Sequence, residues 1–150
     1  MKIEKSVKIN RSSGVVFDYL KITGNQDNFS VWNMADPNMK KSHKGIDGTV
    51  GFVYSWDSTI NKVGAGEQEI TAIEEGKSID YSLRFSRPMQ NTAKTRFQIT
   101  DAGADTTSVD WIFDSPSRFP MLLFAPIFRR ILGKDIEKGL INLKSILEKK

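Results

Sequence analysis

The chain has 150 residues, 39% hydrophobic and 27% charged, which suits one globular domain with a real buried core. It contains no cysteine, which excludes disulfides and thiolate chemistry and fits a reducing compartment. The net charge of +4 is uneven: from Arg118 onward eight Lys/Arg stand against three Asp/Glu, so the C-terminal stretch holds the whole basic excess.

The N-terminal residues Met1-Lys2-Ile3-Glu4-Lys5 lack the apolar core of a signal peptide. No apolar run approaches the roughly 20 residues of a membrane span. A soluble cytoplasmic protein is expected. Ile3, Val7 and Ile9 alternate with charged residues and predict an opening strand. Ser12 or Ser13 is placed to cap a helix carrying Val15, Val16, Tyr19 and Leu20, which Thr23-Gly24-Asn25 ends. A second short helix carries Phe29 and Trp32 and is limited by Pro37.

The middle of the chain alternates with period two. Val50, Phe52, Tyr54 and Trp56 share one face of a strand, and Gln68, Ile70 and Ala72 share one face of the next. After a turn at Glu75-Gly76-Lys77 come three inward stripes. They are Ile79, Tyr81, Leu83 and Phe85; then Ala93, Thr95, Phe97 and Ile99; then Thr107, Val109, Trp111 and Phe113. One-sided alternation of this kind indicates antiparallel strands with one wet face.

The chain closes on a helix whose apolar stripe is Leu132, Ile136, Leu140, Leu143 and Leu147. Extended backward, the same register puts Arg129 on the apolar side, where an unpaired charge is costly. A break near Gly133 is therefore expected, with Pro126 opening the new segment and Phe119 to Phe124 forming a separate apolar piece. Gly133 and Gly139 flank the stripe within about 60°. Their missing side chains leave room for a close strand crossing, the favoured reading, or for a ligand. The outer face of this helix reads as solvated, ahead of an anionic partner or a membrane surface.

Catalytic groups are scarce. His43 is the one histidine, set among Lys40, Lys41 and Lys44 in an exposed strand or loop, so zinc constellations fail and no metal or cofactor is expected. No serine has the elbow of a hydrolase, and catalytic residues stay unassigned. Glu67, Glu69 and Asp110 fall in outward phases. Arg84 and Arg96 are outward too, opposite Asp80 and Asp110, which predicts cross-strand charge pairing. Gly45, Gly48 and Gly51 mimic a phosphate loop only loosely, because no Gly-Lys-Ser/Thr follows. The basic groups are dispersed and carry no nucleic-acid reader motif.

The order of elements resembles the START/Bet v 1-like (SRPBCC) superfamily, and more narrowly its bacterial polyketide cyclase/dehydrase-like members. The resemblance rests on Ile3–Ile9, on Ser13-Gly14-Val15-Val16-Phe17-Asp18-Tyr19-Leu20 and on Gly48-Thr49-Val50-Gly51 leading to Trp56. It also rests on Gly64-Ala65-Gly66-Glu67 and the closing run from Gly133 to Lys144. It implies an α+β helix-grip fold: a curved seven-stranded antiparallel sheet, two short helices after strand 1, and a long C-terminal helix across the sheet. A hydrophobic cavity is implied between helix and sheet. Members bind lipids, hormones or polyketides, catalyse cyclisation or dehydration, or partner chaperones, and fold alone does not choose among these.

The expected ligand site joins Trp32, Tyr54, Trp56, Gln68, Tyr81, Phe85, Thr95, Phe97, Trp111, Gly139 and Leu143. This set is an apolar, aromatic lining in which a few polar groups would fix orientation. Core packing alone would account for each member separately. Met34, Met39, Met89 and Met121 fall in connections where they would line a mouth or simply lie on the surface. The expected partner is a small hydrophobic ligand, with a cyclase or dehydratase-like enzyme and a chaperone-partner module as alternatives. In the enzyme, Tyr54, Tyr81 or a water would handle protons. No nucleic acid is expected, membrane contact through the basic helix is disfavoured, and oligomeric state is unassigned.

Overall fold

Period-two alternation sets the framework, and the computed structural model describes it for residues 1–116 and 121–150. Strand β1 (Lys2–Ile9) leads to helix α1 (Ser13–Leu20), a 3-10 turn (Thr23–Asn28) and one turn of helix, α2 (Val31–Met34). Six strands follow: β2 (Lys40–Lys44), β3 (Val53–Asp57), β4 (Ala65–Glu74), β5 (Ser78–Arg87), β6 (Asn91–Gly103) and β7 (Thr106–Asp114). Helix α3 (Met121–Glu148) closes the chain. The strands form one antiparallel sheet in the order β1-β7-β6-β5-β4-β3-β2. The helix-grip architecture implied by the sequence is the one observed.

Local chemistry explains the junctions. Ser12 caps α1 by accepting a hydrogen bond from Val15 N, and α1 buries Val16, Phe17 and Leu20. The 3-10 turn is capped at long range by Asp47, whose carboxylate accepts from Thr23 N at 2.7 Å and Gly24 N at 2.9 Å. Gly45, Gly48 and Gly51 all have φ between 84° and 97°, a region that favours glycine. They shape the β2–β3 connection.

Helix α3 lies along β1 and covers the concave face. Ile136, Leu140, Leu143 and Leu147 are buried at 0–1% exposure, each contributing roughly 1.5–3 kcal/mol. Polar ties fix its far end: Lys144 Nζ donates to Lys8 O at 2.8 Å, and Glu148 accepts from Asn10 N at 2.8 Å.

Four expectations need correction. Helix α3 runs unbroken through Pro126 and Gly133. Arg129 needs no break because it is exposed beyond the sheet margin, where its guanidinium donates to Lys2 O at 2.8 Å. Val50 is 60% exposed, since the β2–β3 connection continues to Phe52 before β3 begins. A bulge between Ile70 and Ala72 adds a residue to β4, so Ile73 packs against the core and Ala72 turns outward. The outward charges pair only in part as expected: Arg96 meets Asp80 across the strands, whereas Arg84 bridges Glu67 at 2.7 Å and Glu69 at 2.8 Å. Asp110 accepts from the Ser6 hydroxyl instead. The proposed apolar piece at Phe119 to Phe124 lies partly outside the described residues, as does the side chain of Met121.

Candidate functional site

Strand register stacks the inward side chains in rows across the sheet. Starting from the end where β1 begins, the first row is Trp56, Gly66 and Phe85. The second is Tyr54, Gln68, Leu83 and Ala93. The third is Ile70, Tyr81, Thr95, Phe113 and Ile3, and the fourth is Ile73, Ile79, Phe97 and Trp111.

Burial is uneven across these rows. Ile70, Tyr81, Ile79 and Phe97 are 0–1% exposed, Tyr54, Gln68, Leu83, Thr95 and Phe113 are 6–8% exposed, and Trp56, Phe85 and, in the fourth row, Ile73 are half-buried. Among the inward aromatics of these rows, cover is thinnest at the β1-start end, on Trp56 and Phe85.

Aromatic packing makes the middle solid. Phe29 sets its ring edge-on to Phe97 at 6.1 Å and to Trp111 at 5.8 Å, while Phe97 and Trp111 lie 4.8 Å apart. The Asn142 amide donates to Phe29 O at 3.1 Å and holds this wedge against α3. A Cβ on Gly139 would stand 2.9 Å from Trp111 Cζ3, so this glycine serves a close crossing. Five of the expected lining residues, Tyr81, Phe97, Trp111, Gly139 and Leu143, are thus packed among themselves and their core neighbours.

Of the other six, Trp56, Phe85, Tyr54 and Gln68 lie in the first two rows, Thr95 lies in the third, and Trp32 packs on Trp111 and Phe113. Trp56 crosses Phe85 edge-on at 5.8 Å, and its indole rests on Gly66, where any side chain would collide. Its Nε1 donates to Val63 O at 3.2 Å. Trp32 is half-buried, donates from Nε1 to Asp135 Oδ2 at 3.2 Å and packs edge-on against Trp111 and at a tilt against Phe113. These contacts hold α2 against α3. Thr95 is 6% exposed, and its hydroxyl has no hydrogen-bond partner among the described residues. Of the methionines, Met39 is buried, whereas Met34 and Met89 are exposed.

Tyr54 is held by a network that the sequence does not announce. Its hydroxyl donates to Asp27 Oδ1 at 2.7 Å, Asn33 Nδ2 donates to the same oxygen at 3.0 Å, and Lys41 Nζ lies 3.2 Å from Oδ2. Burial first, and the Asp27 carboxylate second, push the Tyr54 phenol well above its ordinary pKa. Tyr81 is raised mainly by burial. Its hydroxyl donates to Leu20 O at 3.4 Å. Thr23, Gln26 and Ser30 nearby along the chain are buried, each with a polar side-chain atom that has no hydrogen-bond partner among the described residues. Asp36 and Ser58, also unforeseen, form a buried hydrogen bond just after β3 ends. Only proximity in the fold reveals these pairs.

Comparison with known proteins agrees with this architecture. The family model described as polyketide cyclase / dehydrase and lipid transport matches residues 1–148. No curated protein matches the chain. Among solved structures, a START superfamily protein from Mycobacterium smegmatis is similar at 16% identity and TM-score 0.65, covering 99% of this chain and 97% of that one. Norcoclaurine synthase from Thalictrum flavum is similar at 9% identity and TM-score 0.68, covering 99% and 84%. DynU16, from the dynemicin biosynthetic locus, is similar at 13% identity and TM-score 0.68; 98% of this chain is covered but only 47% of DynU16. At these identities the likeness is one of fold. The chain belongs to the polyketide cyclase / dehydrase and lipid transport family.

Proposed function

We propose that the protein binds a small apolar or aromatic molecule at the loose end of the grip, between the first two inward rows and the near part of α3. Trp56 and Phe85 form the apolar wall, Gln68 supplies a polar handle beside them, and Thr95 supplies a second at the inner limit of the site. The observation that carries this reading is the thin cover on Trp56 and Phe85 at one end of the inward face, with the buried Thr95 hydroxyl, two rows deeper, lacking a hydrogen-bond partner among the described residues. An unsatisfied buried hydroxyl costs about 1–3 kcal/mol, which a ligand acceptor or a bound water would offset. Ligand sites commonly combine such an apolar wall with a few polar groups.

Family and fold are equally compatible with a cyclase-like enzyme. Binding is favoured here because both candidate tyrosines have raised pKa values and donate to fixed acceptors, which makes them poor bases near neutral pH. The sheet's outer face carries the Arg84 and Arg96 ion pairs, which disfavours an apolar docking surface for a chaperone there. A cytoplasmic location belongs to the same proposal and suits a chain without cysteine.

Native mass spectrometry of freshly purified protein tests this directly, supported by titration with anilinonaphthalenesulfonate. A co-purified small molecule, or saturable dye binding weakened in Trp56→Ala and Phe85→Ala, is expected. Bare protein mass together with no saturable dye binding would overturn the proposal.

A further inference from the structure

The outer face of α3 is not the purely solvated surface that its charges imply. Ile127, Ile131 and Ile141 are 60%, 52% and 57% exposed. At 100° per residue they share one side of the helix with Arg130, Lys134 and Lys138, all within about 60° of Ile127. This stripe lies opposite Ile136, Leu140, Leu143 and Leu147. Between Ile127 and Ile141 it contains no acidic residue, since Asp135 and Glu137 sit about 80° to either side. A cleft of about 400 Å³ between α3 and β1, lined by Lys5, Arg129, Arg130, Gly133, Lys134 and Glu137, extends the positive surface along one flank.

We propose that this face docks on an anionic lipid bilayer. Three exposed isoleucines in line are an unusual surface to leave in water, and such patches mark interaction sites. Two features select a membrane as the occupant. Arg130, Lys134 and Lys138 are interspersed among the isoleucines over about 21 Å of helix, so both can meet a plane at once, apolar groups below and charges at the phosphate level. No helix among the described residues is long and apolar enough to cross a membrane, so the contact proposed is along the surface. Charge complementarity then requires anionic lipid.

Sedimentation with sucrose-loaded vesicles of phosphatidylcholine, with and without phosphatidylglycerol, tests the proposal. Binding is expected only with phosphatidylglycerol and weakens as salt is raised. Lys134→Gln and Lys138→Gln should each lower partitioning about fivefold. Ile127→Ser and Ile131→Ser should each lower it about tenfold. All four side chains point outward, so their thermal melts should match the parent. Equal binding to both vesicle types overturns the proposal, as does full binding by the isoleucine variants. Absence of vesicle binding with retention on immobilised polyglutamate would assign the face to an acidic protein and also overturn it.

Discussion

Two glycines of α3 offer a controlled test of how tightly the middle of the grip is packed. Replacing either by alanine gains about 1 kcal/mol of helix propensity. At Gly133 the new Cβ would meet Lys5 Cε at 3.3 Å, the far end of a flexible side chain that can move aside. At Gly139 it would meet Trp111 Cζ3 at 2.9 Å and Phe29 O at 3.5 Å. Trp111 cannot yield easily, because Phe29, Phe97 and Trp32 clamp its ring. Overpacking of this kind costs about 1–3 kcal/mol. Gly133→Ala should therefore be neutral to stabilising, and Gly139→Ala should fall about 2 kcal/mol below it, a difference of roughly 4–8 °C in Tm for a domain of this size. Gly139→Leu, which puts a larger side chain into the same crossing, should destabilise still more. Paired thermal and urea melts measure the difference, and a Gly139→Ala variant as stable as Gly133→Ala would refute the packed crossing.

Alkaline pH should weaken the fold. Tyr54 and Tyr81 have folded pKa values above the ordinary phenol value, so this contribution is complete below about pH 10 and is lost above it, at about 1.4 kcal/mol per pH unit for each phenol. Urea midpoints that stay constant from pH 9 to 11 would contradict this, those pH values being approximate and bracketing the free phenol. Tyr54→Phe should cost about 1 kcal/mol by removing the bond to half-buried Asp27, and Asp27→Ala should cost more because it orphans the Tyr54 hydroxyl. Equal midpoints for the two variants would remove the network's importance. Arg84→Met should cost under about 1 kcal/mol and lose most of that effect in high salt, since its ion pairs with Glu67 and Glu69 are 38% exposed on the arginine side.

Where a strand has one wet face, its residues declare their orientation, and β5, β6 and β7 were legible for that reason. Tyr81, Thr95, Phe97 and Trp111 all fall inward as their phase requires. Strand β2 gave no such signal because Lys40 to Lys44 are exposed throughout as an edge strand. The bulge at Thr71 was hidden because alternation alone does not show where a residue is inserted. Arg129 misled for a related reason: periodicity gives its direction on α3 but not where the sheet beneath it ends. Within the candidate site, phase identified the apolar wall. It could not separate a filled row from a loose one, since Trp111 and Trp56 are equally inward by pattern and differ only in what packs on them. The Asp27, Asn33 and Lys41 network around Tyr54, and the Asp47 cap, join residues distant in sequence and have no local signature.

The central claim is that an apolar ligand occupies the loose end while the middle of the grip stays packed. Methyl chemical-shift mapping during titration with naphthol tests it most directly. Shifts should concentrate on Leu83, Ala93 and Leu132, with Ile99, Val109, Leu143 and Leu147 unmoved. Perturbation centred on the second group, or no saturable shift anywhere, would contradict the account.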